Sequence, residues 1–370
     1  MTLLDAFSDF EEFRADNHRY PLPHLVFIAV CMILCGADDW KMVSKLGKRK
    51  RSWLKQYIPS PHGVPSHHTF IRVFAVLDPE QFRERFIKWI NSIVERTHGE
   101  VVALDGKTLR RSYDKGDDKA AIHMVSAWAS ETGIVLGQLK TAAKSNEITA
   151  ITALLDVLEI SGCIVTADAM GCQRAIAGKI RSKGADYLLA VKGNQGTLHE
   201  DIQLFLDHLS LQQKLPEAAD YHETLDKGHG RLEIRRCWIS TDIQWLEQRK
   251  DWKDLGMIGV VESERHEDSG KSIERRYFIA SLTCDAMTFM SAVRAHWSVE
   301  NNLHWQLDIS FREDECRIRK GHGAENMAIF RHIALSLLAQ EKTEKLGMKN
   351  KRITAAADNE YLELVLQGSI

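Results

Sequence analysis

A chain of 370 residues is long enough for one large domain or two to three smaller ones around a buried core. With 44% hydrophobic and 27% charged residues it is an ordinary globular sequence, which excludes a disordered or fibrous class. A net charge of -2 excludes a globally basic nucleic-acid binder, so any such surface must be local. The tight run of Lys45, Lys48, Arg49, Lys50 and Arg51 is one local possibility; a solubilising face is the simpler reading. Seven scattered cysteines without a CxxC pair argue against a zinc ribbon and suit a reducing cytoplasm. The first residues are acidic, unlike a secretory signal, and the apolar run Leu25 to Cys35 is too short to span a bilayer. A cytoplasmic protein with no membrane association is expected.

Residues 1–97 read as helical. Asp39 or Asp38 caps a helix through Met42, Val43 and Leu46, and Ser66 caps another through Phe70, Phe74 and Leu77. Asp78-Pro79-Glu80 starts a third, whose Phe82, Phe86, Trp89, Ile90 and Ile93 recur at helical spacing. These helices suit a helix-turn-helix, and equally a helical cap packed on a larger domain. After His98-Gly99-Glu100 the pattern changes. Strands are predicted over 101–109, 121–129 and 134–142, then a helix capped by Ser145 or Asn146, a strand over 163–167, a helix over 173–183 and a strand over 187–191. Hairpins followed by strand–helix alternation predict a mixed α/β sheet flanked by helices. The order matches the RNase H-like fold. Residues 196–280 form a strand-rich insertion, with a helix over 198–209 and strands over 231–240, 257–264 and 277–282. Helices return through Trp297 and Leu303, and a last apolar helix runs from Asn326 to Leu338.

Three acids stand out. Asp105 closes the apolar run Val101-Val102-Ala103-Leu104, and Asp168 closes Cys163-Ile164-Val165-Thr166-Ala167. Asp-Gly is also a common hairpin turn, and Asp168 alone reads as a strand-end cap. Together they say more, because the first and fourth strands of such a sheet can lie side by side, and two close carboxylates repel unless a cation or a proton sits between them. Magnesium fits, being an oxygen-seeking ion that leaves room for water and phosphate. The third acid, Glu300, lies in a predicted helix that places Trp297, Glu300 and His304 on one side. Asp308, Glu313 and Asp314 are rival acids in the same segment.

The strings Leu104-Asp105-Gly106-Lys107, Ala167-Asp168-Ala169-Met170-Gly171-Cys172-Gln173 and Val191-Lys192-Gly193-Asn194-Gln195 look like family motifs. So do Gly228-His229-Gly230-Arg231, His296-Trp297-Ser298-Val299-Glu300-Asn301 and Phe311-Arg312-Glu313-Asp314. Together they resemble the H-repeat-associated insertion-sequence transposases of the DDE superfamily. The N-terminal Arg19-Tyr20-Pro21-Leu22-Pro23-His24 is similar to the helical segment that precedes the catalytic domain in that family. The resemblance implies a helical N-terminal domain over 1–97, a catalytic core over 98–195 and 281–340, the insertion over 196–280 and a tail over 341–370. It implies that Asp105, Asp168 and Glu300 are the metal-binding DDE triad, with Mg2+, or Mn2+ in its place, as cofactor. Related transposases carry a Tyr, an Arg and a Lys around the glutamate; Val293, His296 and Leu307 stand at the corresponding places here.

Phosphate contacts are expected from Lys107, Arg110, Lys192, Arg231, Arg294, His296 and His304. Trp238, Trp245 and Trp252 suit stacking on an unpaired base, though burial within the insertion is the simpler reading. The expected partners are the terminal inverted repeats of the element and a target DNA, gripped by a homodimer in a nucleoid-associated setting. Two other readings remain open: a structure-specific nuclease of the same fold, and a catalytically inactive DNA-binding descendant.

Overall fold

The computed structural model describes residues 2–15, 18–93, 99–113, 120–141, 147–228, 231–267 and 270–367, with backbone only at Ile93, Arg231 and Gln367. The capping residues Ser145 and Asn146, and His229 and Gly230 of the Gly-His-Gly-Arg string, lie outside these residues. Two compact units emerge. The first comprises Met1–Arg96, Gly106–Lys144 and Glu300–Ile370; the second comprises Thr97–Asp105 and Ser145–Val299.

The first unit is mainly helical. It holds α1 (Leu3–Ala6), α2 (Leu22–Leu34), α3 (Trp40–Arg49), α4 (Arg51–Leu54), α5 (His67–Val76) and α6 (Pro79–Ile93). Later in the chain come α11 (Trp305–Ile309), α12 (Gly323–Gln340), α13 (Met348–Ala357) and α14 (Asn359–Gln367). Helix α2 is apolar nearly all round and is buried as a central pillar; α12 is buried as fully, but encloses polar side chains such as Asn326, Arg331 and His332. Asp39 caps α3 by accepting from Met42 N at 2.8 Å, whereas the Ser66 side chain makes no such bond to α5. Strands β2 (His123–Ala129) and β3 (Ile134–Thr141) pair antiparallel, and the Thr108 hydroxyl meets His123 Nδ1 at 2.9 Å beside them.

The second unit is built on a mixed sheet. Strand β1 (Val101–Thr108) begins here and ends in the first unit. With it run β4 (Ile164–Ala167), β5 (Asp186–Val191), β6 (Ala219–Gly228), β7 (Arg231–Ser240), β8 (Met257–Glu267) and β9 (Gly270–Ala280), in the order β1-β4-β5-β9-β8-β7-β6. Strands β1, β4 and β5 are parallel, and β9, β8, β7 and β6 follow as antiparallel neighbours. Helices α7 (Glu147–Val157) and α8 (Arg174–Ser182) supply the crossovers, as parallel strands require, and α9 (Gly196–Leu209) and α10 (Ala286–Ser298) pack on the antiparallel part. The parallel strands β1, β4 and β5 with their helical crossovers form the parallel part of an RNase H-like mixed sheet.

Candidate active site

In the second unit, parallel pairing sets Leu104 of β1 opposite Ala167 of β4. Asp105, within β1, and Asp168, the first residue past the end of β4, each follow this facing pair, so the two acids leave it at the same height. Asp168 is exposed, and its Oδ1 accepts from Met170 N at 2.9 Å and Gly171 N at 3.2 Å, which fixes the turn after β4. A Cβ on Gly171 would lie 2.6 Å from the Ala167 methyl, so the turn needs glycine there. The adjacent turn after β5 is tied to it. Asn194 Nδ2 donates to Ala169 O at 2.6 Å and Gln195 Nε2 to Cys172 O at 3.0 Å, leaving Lys192 exposed beside Asp168.

A cavity of about 60 Å³ opens next to Asp168, lined by Thr166, Lys192, Arg276, His296 and Trp297 among others. His296 Nδ1 lies 2.9 Å from the Thr166 hydroxyl. Burial pushes the His296 imidazole down to about 4 against the opposing pull of the Asp168 carboxylate, so it is uncharged near neutral pH. Its contact with a phosphate would therefore be a neutral hydrogen bond. The Arg276 guanidinium lies 3.9 Å from the centre of the exposed Trp297 ring and donates to both Glu274 oxygens. Sequence reasoning passed over Thr166 and Arg276. Thr166 carried only a weak signal, one residue from a strand-end acid, and Arg276, on a strand of the insertion, carried none.

The predicted helix that carries Glu300 is not α-helical throughout. Helix α10 ends at Ser298, a π-helical segment spans Val299–His304, and α11 follows. The wider π turn departs from the α-helical register, and within it Glu300 is exposed while His304 is buried. Glu300 and His304 still offer ligand atoms within 4.8 Å of each other in the first unit.

Lys107 is committed to that unit's interior. Its ammonium bridges Asp308 at 2.5 Å and Glu313 at 3.0 Å, and Arg331 approaches Glu313 at 3.6 Å. Burial acts to raise the Glu313 carboxyl, but Lys107 and Arg331 outweigh it and hold the group below the ordinary range. At Asp308 burial prevails and the carboxyl is raised. Arg110 is exposed and 3.1 Å from Asp314, and Arg294 lies 3.4 Å from Asp226 in the second unit. Arg231 opens β7, but its side chain is outside the described residues. Trp238 and Trp252 are buried, and Trp245 stacks on Phe205 at 4.7 Å.

The family described as "DDE_Tnp_1-associated" matches residues 4–90, and the family described as "Transposase DDE domain" matches residues 96–337. "Putative transposase YncI" of Escherichia coli O157:H7 is 42% identical, over 99% of this chain and 94% of its own length. The "H repeat-associated putative transposase YhhI" of Escherichia coli K12 is 40% identical, over 95% of this chain and 93% of its own. A solved structure, a piggyBac transposase synaptic complex with hairpin DNA, aligns at a TM-score of 0.45 and 11% identity, over 98% of this chain and 76% of that one. With its DDE domain matched over most of its length and two near-full-length relatives at this identity, the chain belongs to the DDE superfamily of insertion-sequence transposases.

Proposed function

We propose that this transposase cuts and joins phosphodiester bonds at the ends of its own element, with Asp105, Asp168 and Glu300 holding a pair of divalent metals. The observation that supports the reading is the register of β1 and β4, in which Asp105 and Asp168 directly follow the facing pair Leu104 and Ala167. The donor set fits Mg2+ or Mn2+, because three carboxylates offer hard oxygens and the exposed Asp168 leaves room for water and phosphate. Glu300 completes the set in this reading, with His304 beside it. When bound, such a pair supplies positive charge to the attacking and leaving oxygens of an in-line displacement.

The chain's own residues do the rest. Lys192 meets phosphate at the rim and neutral His296 donates or accepts a hydrogen bond. Lys107 acts by holding the acid-rich segment in place, and Arg110, Arg231 and Arg294 contact the backbone farther out. Residues 1–97 serve DNA binding, 98–195 and 281–340 the chemistry, 196–280 the insertion and 341–370 a tail. The working species on DNA is a homodimer that pairs two element ends.

The test is an assay of purified protein on duplexes carrying the inverted repeats that flank its coding region, with Mg2+ or Mn2+. Metal-dependent nicking and joining to a second duplex are expected. Cleavage without joining would instead favour a nuclease, and binding without cleavage an inactive descendant.

A further inference from the structure

Helix α5 has one face fixed in the core of the first unit and the other open. Phe70, Val73 and Phe74 are buried, and the Trp40 ring stacks on Phe70 and Phe74 at 5.9 and 4.9 Å. Its end is held from below by α12 and the turn before it. Asn326 Nδ2 donates to Phe74 O and Leu77 O, both at 2.9 Å, and His322 N donates to Ala75 O at 2.9 Å. Gly321 passes so close that a Cβ would lie 2.1 Å from Ala75 O. The open face shows His68, Arg72 and Val76, spaced one turn apart, with Thr69 and Ile71 half-buried alongside. The helix has no carboxylate anywhere, yet offers imidazole, hydroxyl and guanidinium groups.

A groove runs along each flank of this helix. One, of about 610 Å³, is lined by Arg19 and Arg72 among others. The other, of about 630 Å³, is lined by Lys41, Arg317 and Lys320 among others. The acids of the second groove are already engaged. Asp38 pairs with Arg352 at 2.9 Å, Asp39 caps α3, and Glu315 pairs with Arg312. Among the described residues Arg19, Arg72, Lys41, Arg317 and Lys320 take part in no ion pair. Cations therefore line both sides of a rigid helix whose exposed edge carries His68 and Arg72 and no negative charge.

We propose that α5 is the helix that enters the major groove of double-stranded DNA, with His68, Thr69 and Arg72 at base edges and the flanking cations on the phosphates of both strands. A helix of 10 residues is about 15 Å long, and the major groove, about 12 Å wide, admits it with phosphates along both rims. The assignment deepens the DNA-rearrangement reading by naming the surface that selects the element end, and it rests on that reading for the identity of the DNA.

The test measures affinity, across a salt series and without divalent metal, for an end-repeat duplex and a shuffled duplex of equal length. His68→Ala with Arg72→Ala is expected to keep binding to the shuffled duplex but lose roughly ten- to hundredfold of the preference for the end. Arg317→Ala with Lys320→Ala is expected to weaken both duplexes alike and to reduce the salt slope by about one for each lost contact. Unchanged preference in the His68/Arg72 variant, with its melting curve intact, overturns the assignment. Should that double variant melt early, Arg72→Gln alone carries the same test. Wild-type protein that prefers its ends but never cleaves them leaves α5 as the reading helix and sinks the metal chemistry; protein that binds neither duplex sinks both.

Discussion

Asp105 and Asp168 each follow one member of a facing pair, Leu104 and Ala167, on neighbouring parallel strands. Two like charges at one height repel unless a cation or a proton sits between them. Asparagine at 168 keeps the acceptor for Met170 N and Gly171 N while removing the charge. Asp168→Asn is therefore expected to lower metal-dependent end cleavage by at least about a thousandfold. In metal-free buffer its melting temperature should be unchanged or slightly raised. A fall in melting temperature that matches the loss of cleavage would assign the residue to structure instead.

His296 gives a signed pH dependence. Its folded pKa is lowered to about 4 from 6.5, with burial as the main cause. The unfolded chain therefore takes up this proton first as pH falls. The associated stability is intact above about pH 6.5, declines as pH drops through the window, and is gone below about pH 4; it amounts to at most about 3 kcal/mol. Denaturant titrations from pH 7 to 4 should show a shallower decline for His296→Gln than for wild type. Parallel curves would contradict the assignment.

Lys107 holds two carboxylates, one of them on the buried Glu313. Lys107→Met leaves Glu313 without its nearest cation and should cost about 3–5 kcal/mol in urea unfolding. Adding Glu313→Gln should recover part of that loss, because the stranded charge is removed as well. A double variant no more stable than Lys107→Met alone would show that the pair is not the source of the loss.

Gly171→Ala places a methyl 2.6 Å from the Ala167 Cβ, directly behind the turn that carries Asp168. A cost of about 1–3 kcal/mol and a weakened metal response are expected. Thermal unfolding and the Mn2+ concentration needed for half-maximal cleavage check both. A variant with wild-type values in each would mean that the turn yields without moving the acid.

Legibility in the sequence followed burial. Strands β1, β4 and β5 are apolar because they are largely covered, and they read clearly. Strand β6 did not: Ala219–Gly228 is polar and largely exposed at the edge of its sheet, so it lacks the alternation of a half-buried strand. Asp105 and Asp168 are conspicuous because each closes an apolar run. Around Glu300 the sequence carries ordinary helical spacing, and a π segment over Val299–His304 leaves no local mark to distinguish it from an α-helix. Lys107 looks like a free phosphate contact when read beside Asp105. Its partners Asp308 and Glu313 lie some two hundred positions away, a pairing that only tertiary structure sets.

The most direct measurement is an anomalous X-ray map of crystals grown or soaked with Mn2+. The account predicts a peak within coordination distance of the carboxylates of Asp105, Asp168 and Glu300, lost in Asp105→Asn crystals. Peaks confined to other carboxylates, or none at these three under saturating Mn2+ with DNA bound, would contradict it.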